Sequence, residues 1–297
     1  MMKKDRNGLT EEQFLAQYRA GDFVRPSVAA DMVIFTVADT AEFNYRKLPQ
    51  KKLRVLLIRR GEHPFLGKWA LPGGFVRPGE TTEQTARREL REETSVDNVY
   101  LEQLYLFSEP DRDPRTWVMS CAYMALIDST GVRIRGGDDA AEAAWFDVTY
   151  RLINGEKRQA ENDRCLTRRY ELTLTGERET LTAVVECTKH KTETAAAVQY
   201  AISDSDGIAF DHAKIIGCAI ERLRAKLDES DIAFHLLPDL FTLTELQQVY
   251  EVILDRDLLK AAFRRKAAPL VKESGQFTEH AGHRPSRLYR RNREELI

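Results

Sequence analysis

Apolar residues run almost unbroken from Val28 to Val37 (VAADMVIFTV) and again from Leu53 to Ile58 (LRVLLI), a pattern that predicts two largely buried strands. Trp69 to Phe75, WALPGGF, predicts a short strand that runs into a tight turn at Pro72-Gly73-Gly74. With further strands at Tyr100 to Phe107, Trp117 to Ile127 and Ala144 to Val148, residues 28–150 read as a mixed sheet with few helices, preceded by a short polar helix around Glu11 to Tyr18. RYELTLTGERETLTAVVEC alternates like a hairpin with Gly176 near its turn, and residues 151–208 are taken as an insertion or connector without evident chemistry. From Asp211 the period becomes helical, since HAKIIGCAIERLRAKL spaces its apolar residues by three and four. Thr242 and Glu245 in FTLTELQQVYEVIL form a capping box ahead of an amphipathic helix. A second helix, LLKAAFRRKA, is expected to start at Asp257, and Gly275 to Tyr289 carries the turn residues of a small hairpin. Three regions follow from these patterns: 1–150, 151–208 and 209–297.

No apolar run is long enough to span a bilayer, and no apolar stretch follows the basic start MMKKDRNGLTEEQF, so a cytoplasmic protein without a membrane partner is expected. Cys121, Cys165, Cys187 and Cys218 are widely scattered without metal-ligand spacing and read as reduced structural thiols. The formal net charge of −2 conceals an asymmetry. Residues 260–293 hold ten Lys and Arg against Glu273 and Glu279, or +8, which leaves −2 − 8 = −10 for the remainder. A basic end on an acidic body is the distribution expected when one module meets a polyanion.

The most charged stretch is GFVRPGETTEQTARRELREETSV, Gly74 to Val96, with five glutamates and three arginines between Glu80 and Glu93. On a helix with Ala86 at zero, Leu90 falls at about 40°, Glu93 at about 340°, Glu89 at about 300° and Glu92 at about 240°. The three carboxylates therefore share a face beside the Ala86/Leu90 stripe, while Arg87, Arg88 and Arg91 are expected on the outward side. A solvated helix laced with ion pairs is the ordinary reading of such composition. Like charges at this spacing, however, repel by roughly 0.2–0.5 kcal/mol per exposed pair, so a cation is expected among them. Mg²⁺, which takes oxygen ligands and is held jointly by carboxylates and substrate phosphates, fits the set.

This segment resembles the signature of the Nudix hydrolase superfamily. Gly74, Glu80, Arg88, Glu89, Leu90, Glu92, Glu93 and Val96 match it, and Ser95 stands where the family has glycine. That glycine is expected to close the helix in a backbone conformation that costs other residues about 1 kcal/mol. The resemblance implies a Nudix α/β/α sandwich of the α/β (α+β) class and a pyrophosphatase that cleaves nucleoside diphosphates linked to another moiety. Within it Glu89, Glu92 and Glu93 would hold Mg²⁺, or Mn²⁺ in its place. Arg88 would orient the glutamates, Glu80 would be a supporting or metal-linked carboxylate, and Gly73 and Gly74 would admit the diphosphate. The general base varies in the superfamily; Glu93 or one of Asp138, Asp139 and Glu142 are the candidates. HPFLGKWALPGGFVRPGE and DRDPRTWVMSCAYMALI resemble the ADP-ribose pyrophosphatase-like branch, which implies an ADP-ribose-like nucleoside diphosphate sugar. Phe65, Trp69 and Tyr123 are candidates to stack on its adenine, with burial in the core as the ordinary alternative.

Residues 242–291 have the layout of a winged helix-turn-helix, two helices followed by a Gly-containing hairpin. Lys260, Arg264, Arg265 and Lys266 fall on the expected recognition helix, and Arg284, Arg287 and Arg290 on the wing. FTLTELQQVYEVIL and GHRPSRLYRRN resemble the C-terminal domain of Nudix-related transcriptional regulators of the NrtR type. That resemblance implies double-stranded DNA as a partner, a homodimer, and a Nudix domain that senses ADP-ribose or a sugar. A hydrolase is the first expectation, because the glutamates are complete, and a regulator with little or no catalysis is the alternative.

Overall fold

A computed structural model describes residues 3–40, 49–128, 140–160, 163–227, 230–278 and 285–292. Both long apolar runs form strands, β1 (Ser27–Asp39) and β2 (Lys51–Arg60), and their apolar stretches are continuous because layers of structure cover both faces. They sit inside a ten-stranded sheet of order β10-β9-β8-β7-β2-β1-β6-β5. Here β5 is Tyr100–Phe107, β6 Val118–Leu126, β7 Ala140–Ala160, β8 Asp163–Thr175, β9 Thr180–Thr192 and β10 Ala196–Asp206. Two short strands, β3 (Trp69–Ala70) and β4 (Gly73–Phe75), pair with β2 and β1. The pairing of β1 with β6 is parallel, which makes the sheet mixed, as expected.

Alternate residues of β1 serve opposite layers. Ala30, Met32 and Ile34 meet Ala86 and Leu90 of helix α2 (Thr82–Thr94) on one face. Val33, Phe35 and Val37 face the other, where helix α3 (His212–Lys226) and helix α4 (Leu243–Leu254) complete the core. The protein is thus an α/β sandwich, preceded by the short exposed helix α1 (Glu11–Gln17).

Strand β7 passes through position 150 without a break, so the sheet continues directly into 151–208. The hairpin expected around Gly176 forms as β8 and β9, closed by the Gly176 N–H donating to the Glu179 carbonyl at 2.9 Å. Beyond α3, the capping box is present as expected: Glu245 N–H donates to Thr242 Oγ1 and Thr242 N–H to the Glu245 carboxylate. Helix α5 runs from Lys260 to Ala267, three residues later than the Asp257 start that the pattern suggested. The reason is Glu251, which accepts the Leu258 N–H at 2.9 Å, while Gln247 donates to the Leu258 carbonyl, so the preceding residues are held as a turn. The hairpin of β11 (Val271–Phe277) and β12 (Arg287–Arg291) follows as the wing and joins Phe241, just ahead of α4, through Tyr289. The four cysteines are free, and among the described residues no helix is long and apolar enough to cross a membrane.

Candidate functional sites

Helix α2 starts at an N-cap, Thr81, whose hydroxyl accepts the Gln84 N–H while the Gln84 side chain accepts the Thr81 N–H. The cap fixes the helix so that Ala86 and Leu90 are buried, with Glu89 and Glu93 buried beside them. Glu92 is largely exposed. Arg87 and Arg91 lie outward and pair with Glu83 and Asp97, as expected. Arg88 does not. Its guanidinium folds back to Glu80 Oε1 at 3.0 Å, Glu89 Oε1 at 2.5 Å and Glu92 Oε2 at 3.5 Å. At about 200° it is the helix position next to Glu92, and its long stem reaches over the turn. The cation among the carboxylates in this structure is therefore Arg88 itself.

The electrostatics follow from these contacts. The Arg88 hydrogen bonds hold the Glu80 carboxyl down to about 2, and those to Glu80 and Glu89 hold Arg88 above its ordinary range. Burial pushes Glu89 up, against the opposing pull of Arg88. Glu89 presses on Gly74: a Cβ there would lie 2.1 Å from Glu89 Oε1, and one on Gly73 would lie 2.5 Å from the Ala30 carbonyl. Gly73 is thus required for strand β4 to lie against β1, while a side chain at Gly74 would have to displace the Glu89 carboxylate.

The donor set suits a hard divalent cation, because Glu80, Glu89, Glu92 and Glu93 offer only carboxylate oxygens on one helix and its leading loop. Among the described residues no three His, Cys, Asp or Glu side chains stand at ligand spacing, and Glu80, Glu89 and Glu92 are instead each paired with Arg88.

Other candidates are placed elsewhere. Glu142 pairs in register with Arg59, on the sheet face opposite α2, and bridges Arg59 at 3.7 Å and Arg178 at 3.8 Å. That face removes it from the carboxylate group; Asp138 and Asp139 lie outside the described residues. Trp69 and Tyr123 are buried in the two cores, Trp69 edge-on to Phe146 and Tyr123 hydrogen-bonded to Thr82, so neither is a base platform. Phe65 is half-buried against Phe210, with ring centroids 4.7 Å apart.

The sequence reading missed a buried polar network beside Gly73. Arg112 donates to both oxygens of Asp211, at 3.1 and 2.7 Å, and to Asp31 at 3.4 Å. Ser120 Oγ donates to the same Asp31 oxygen at 2.5 Å. His212 Nδ1 accepts the Leu71 N–H at 2.8 Å, so its proton sits on Nε2, which faces Asp31. Burial pushes His212 down and pushes Asp211 up, but the Arg112 guanidinium beside Asp211 holds its carboxyl below the usual range. Nearby, Arg115 lies over the rings of Phe75 and Phe210, at 5.4 and 5.7 Å. The signal was the charge density of DRDPR, but nothing local pointed to its partner 99 residues away.

In the C-terminal region Phe263 and Ala267 of α5 are buried, with Phe263 edge-on to Tyr250 of α4. Lys260, Arg264 and Arg265 are exposed and, among the described residues, have no ion-pair partner. Arg287 is exposed on the wing and bonded to Glu273 at 2.7 Å; Arg284 lies outside the described residues. Arg290, Lys272 and Arg291 instead line a cavity of about 1270 Å³ between the wing and the Ser95–Val99 end of α2. That cavity is at the far end of the helix from Glu80.

Two family models match the chain: the NUDIX domain over residues 48–170 and the NrtR DNA-binding winged helix domain over residues 233–291. The "ADPR responsive transcriptional repressor NtrR" of Acinetobacter baylyi is 31% identical over 288 residues, covering 96% of this chain and 89% of its own. An "ADP-ribose pyrophosphatase" of Methanocaldococcus jannaschii is 37% identical over 140 residues, 47% of this chain and 72% of its own. The crystal structure of Shewanella oneidensis NrtR complexed with a 27mer DNA superposes with a TM-score of 0.56 at 27% identity, covering 89% of this chain and 93% of that one.

Proposed function

The chain belongs to the NrtR family, in which a Nudix domain is joined to a winged helix, and from that membership we propose that it is a transcription regulator whose grip on DNA responds to an ADP-ribose-like nucleoside diphosphate sugar. The observation that carries this reading is the pairing of two surfaces on one sheet. An exposed basic helix, α5, is packed through α4 on one face, and the carboxylate helix α2 lies on the other. Lys260, Arg264 and Arg265 enter the major groove, while Arg287 and Arg284 of the wing contact phosphates. The protein acts as a homodimer, which matches two half-sites of an operator. On the Nudix side, Gly73 and Gly74 present backbone to the diphosphate, and Arg115 with Phe75 flank it. Glu89, Glu92 and Glu93 would hold the divalent ion, Mg²⁺ or Mn²⁺, which when bound polarises the diphosphate and activates a water. Arg88 orients Glu89 and Glu92 and must yield part of its contact to them when a cation enters, while Glu80 keeps it in place.

The test uses genomic fragments bound by the full chain. Affinity should fall steeply with salt and by roughly tenfold in Arg264→Ala, as expected when phosphate and base contacts dominate. ADP-ribose should shift the binding curve. Failure to retain any fragment would sink the regulator.

A second reading, hydrolysis of the same diphosphate, is favoured by one observation: all four signature glutamates are present and two of them are buried against the core. Release of AMP and a sugar phosphate from ADP-ribose with Mg²⁺, lost in Glu93→Gln, supports it; no turnover with either metal refutes it.

A further inference from the structure

The sheet does not end where the helices stop covering it. Beyond α3, strands β7, β8 and β9 continue for several residues, and their two faces carry different charge. On the face opposite α3, cations are matched: Arg169 bonds Glu186 at 2.7 Å, Arg158 bonds Glu156 at 3.4 Å and His190 meets Asp163 at 2.8 Å.

The face shared with α3 follows from the register. Cys187, Val185 and Ala183 of β9 are buried in the α3 core, so Lys189 and Lys191 project to the same side. Their cross-strand partners are Leu166 and Arg164 of β8, which in turn pair with Lys157 and Gln159 of β7. Arg168, opposite Cys187, belongs to this face as well. Lys157, Arg164, Arg168, Lys189 and Lys191 thus form a cationic patch in which no described strand residue is acidic. Lys189 has a carboxylate, Glu221 of α3, at 3.8 Å. Arg164 and Lys191 stand directly opposite one another, an arrangement of like charges that disfavours the strand pairing. A polyanion laid across the strands reverses that sign.

Position decides which polyanion. The turn that leads into α5 is pinned to β7: Asp255 bridges Arg151 at 3.2 Å, and Arg224 ties the Ile253 carbonyl to the Tyr150 carbonyl. Lys157 is six residues further along the strand, roughly 20 Å at the usual rise, on the same side of the sheet as α5. That is shorter than one turn of duplex, roughly 34 Å. Resting on the DNA-binding reading above, we propose that the α3-side face of the β7–β9 extension is a second phosphate-contacting surface, which grips the duplex flanking the sequence held by the winged helix.

The experiment compares two duplexes that share one bound sequence, of roughly two and four helical turns. Two charge-matched variants are measured on both across a salt series: Arg164→Gln with Lys191→Gln on the proposed face, and Arg158→Gln with Arg169→Gln on the opposite one. The wild type should show a steeper salt dependence on the long duplex. Arg164→Gln with Lys191→Gln should lower that slope by about 1.8 at roughly 0.9 per phosphate contact. Its affinity should fall on the long duplex and stay unchanged on the short one, which also shows that the variant is folded. The opposite-face variant should match the wild type on both. Equal slopes on the two duplexes, or equal losses in the two variants, overturn the second surface while leaving the winged-helix reading intact; wild type that binds neither duplex overturns both.

Discussion

Glu80 accepts from four donors: Arg88 Nε at 3.0 Å and Nη2 at 3.2 Å, Thr85 Oγ1 at 2.9 Å and the Arg77 N–H at 3.3 Å. All of them favour the ionised carboxylate, which is why its pKa falls from 4.5 to about 2. A carboxyl with a lowered folded-state pKa stabilises the protein above its unfolded pKa, and that contribution disappears as pH falls through the folded one. Glu80→Gln should therefore lower the melting temperature at pH 6, and the gap to wild type should shrink between pH 4.5 and about 2. A gap that stays constant across that range would refute the ionic origin of the effect. Much at this scale was legible in the sequence. The Ala86/Leu90 stripe and the position of Glu89 and Glu93 beside it were readable from periodicity, whereas the strained helix end was implied only by the family resemblance at Ser95, which closes α2 in the left-handed region at φ 57°. The direction of Arg88 was not, because a helical wheel assigns each residue an angle, whereas a long side chain chooses among neighbours within its reach.

At the scale of elements, a signal held where its partners bond to each other and failed where a residue from elsewhere competed for them. Thr242 and Glu245 specify the start of α4 by two mutual hydrogen bonds, so the sequence located it to the residue. Asp257 looked like the start of α5 by the same logic, but Glu251 had already engaged the Leu258 N–H. The second half of β7, RLINGEKRQA, has its only large apolar residues, Leu152 and Ile153, adjacent and exposed, and periodicity cannot announce a strand that buries neither face. Thr242→Ala removes a cap from the helix against which α5 packs and should destabilise the protein by about 1 kcal/mol. A denaturant titration with an unchanged midpoint would show that the cap is dispensable. Since Thr242 is itself buried, Thr242→Ser, which keeps the acceptor oxygen, should lose less.

Across the whole molecule, the strand segment that carries Gly73 and the helix on which the winged helix rests meet in one buried network. Asp31 pairs in register with Gly73, Leu71 donates to His212, and Asp211 at the start of α3 is clamped by Arg112. A ligand that moves the Leu71–Gly74 segment must work against these bonds, so the network is where an effector's contribution would reach α3 and, through Arg224, α4. Removing Arg112 outright is too blunt a probe: it takes away the cation shared by the buried Asp31 and Asp211 and leaves Asp211 with Lys214, at 3.2 Å, a loss of up to roughly 3–5 kcal/mol. Asp211→Asn keeps the volume and one acceptor oxygen while weakening the clamp. If the network carries the coupling, ADP-ribose will change the wild-type affinity for DNA by some factor, and DNA will change the affinity for ADP-ribose by the same factor, because coupling between two binding sites is reciprocal. In Asp211→Asn both factors should move towards one, while each ligand alone binds about as well as before. Calorimetry with each ligand in the presence and absence of the other measures all four constants. Undiminished factors in a folded Asp211→Asn variant would place the coupling elsewhere, and unequal factors in the wild type would mean that one of the four is not an equilibrium constant.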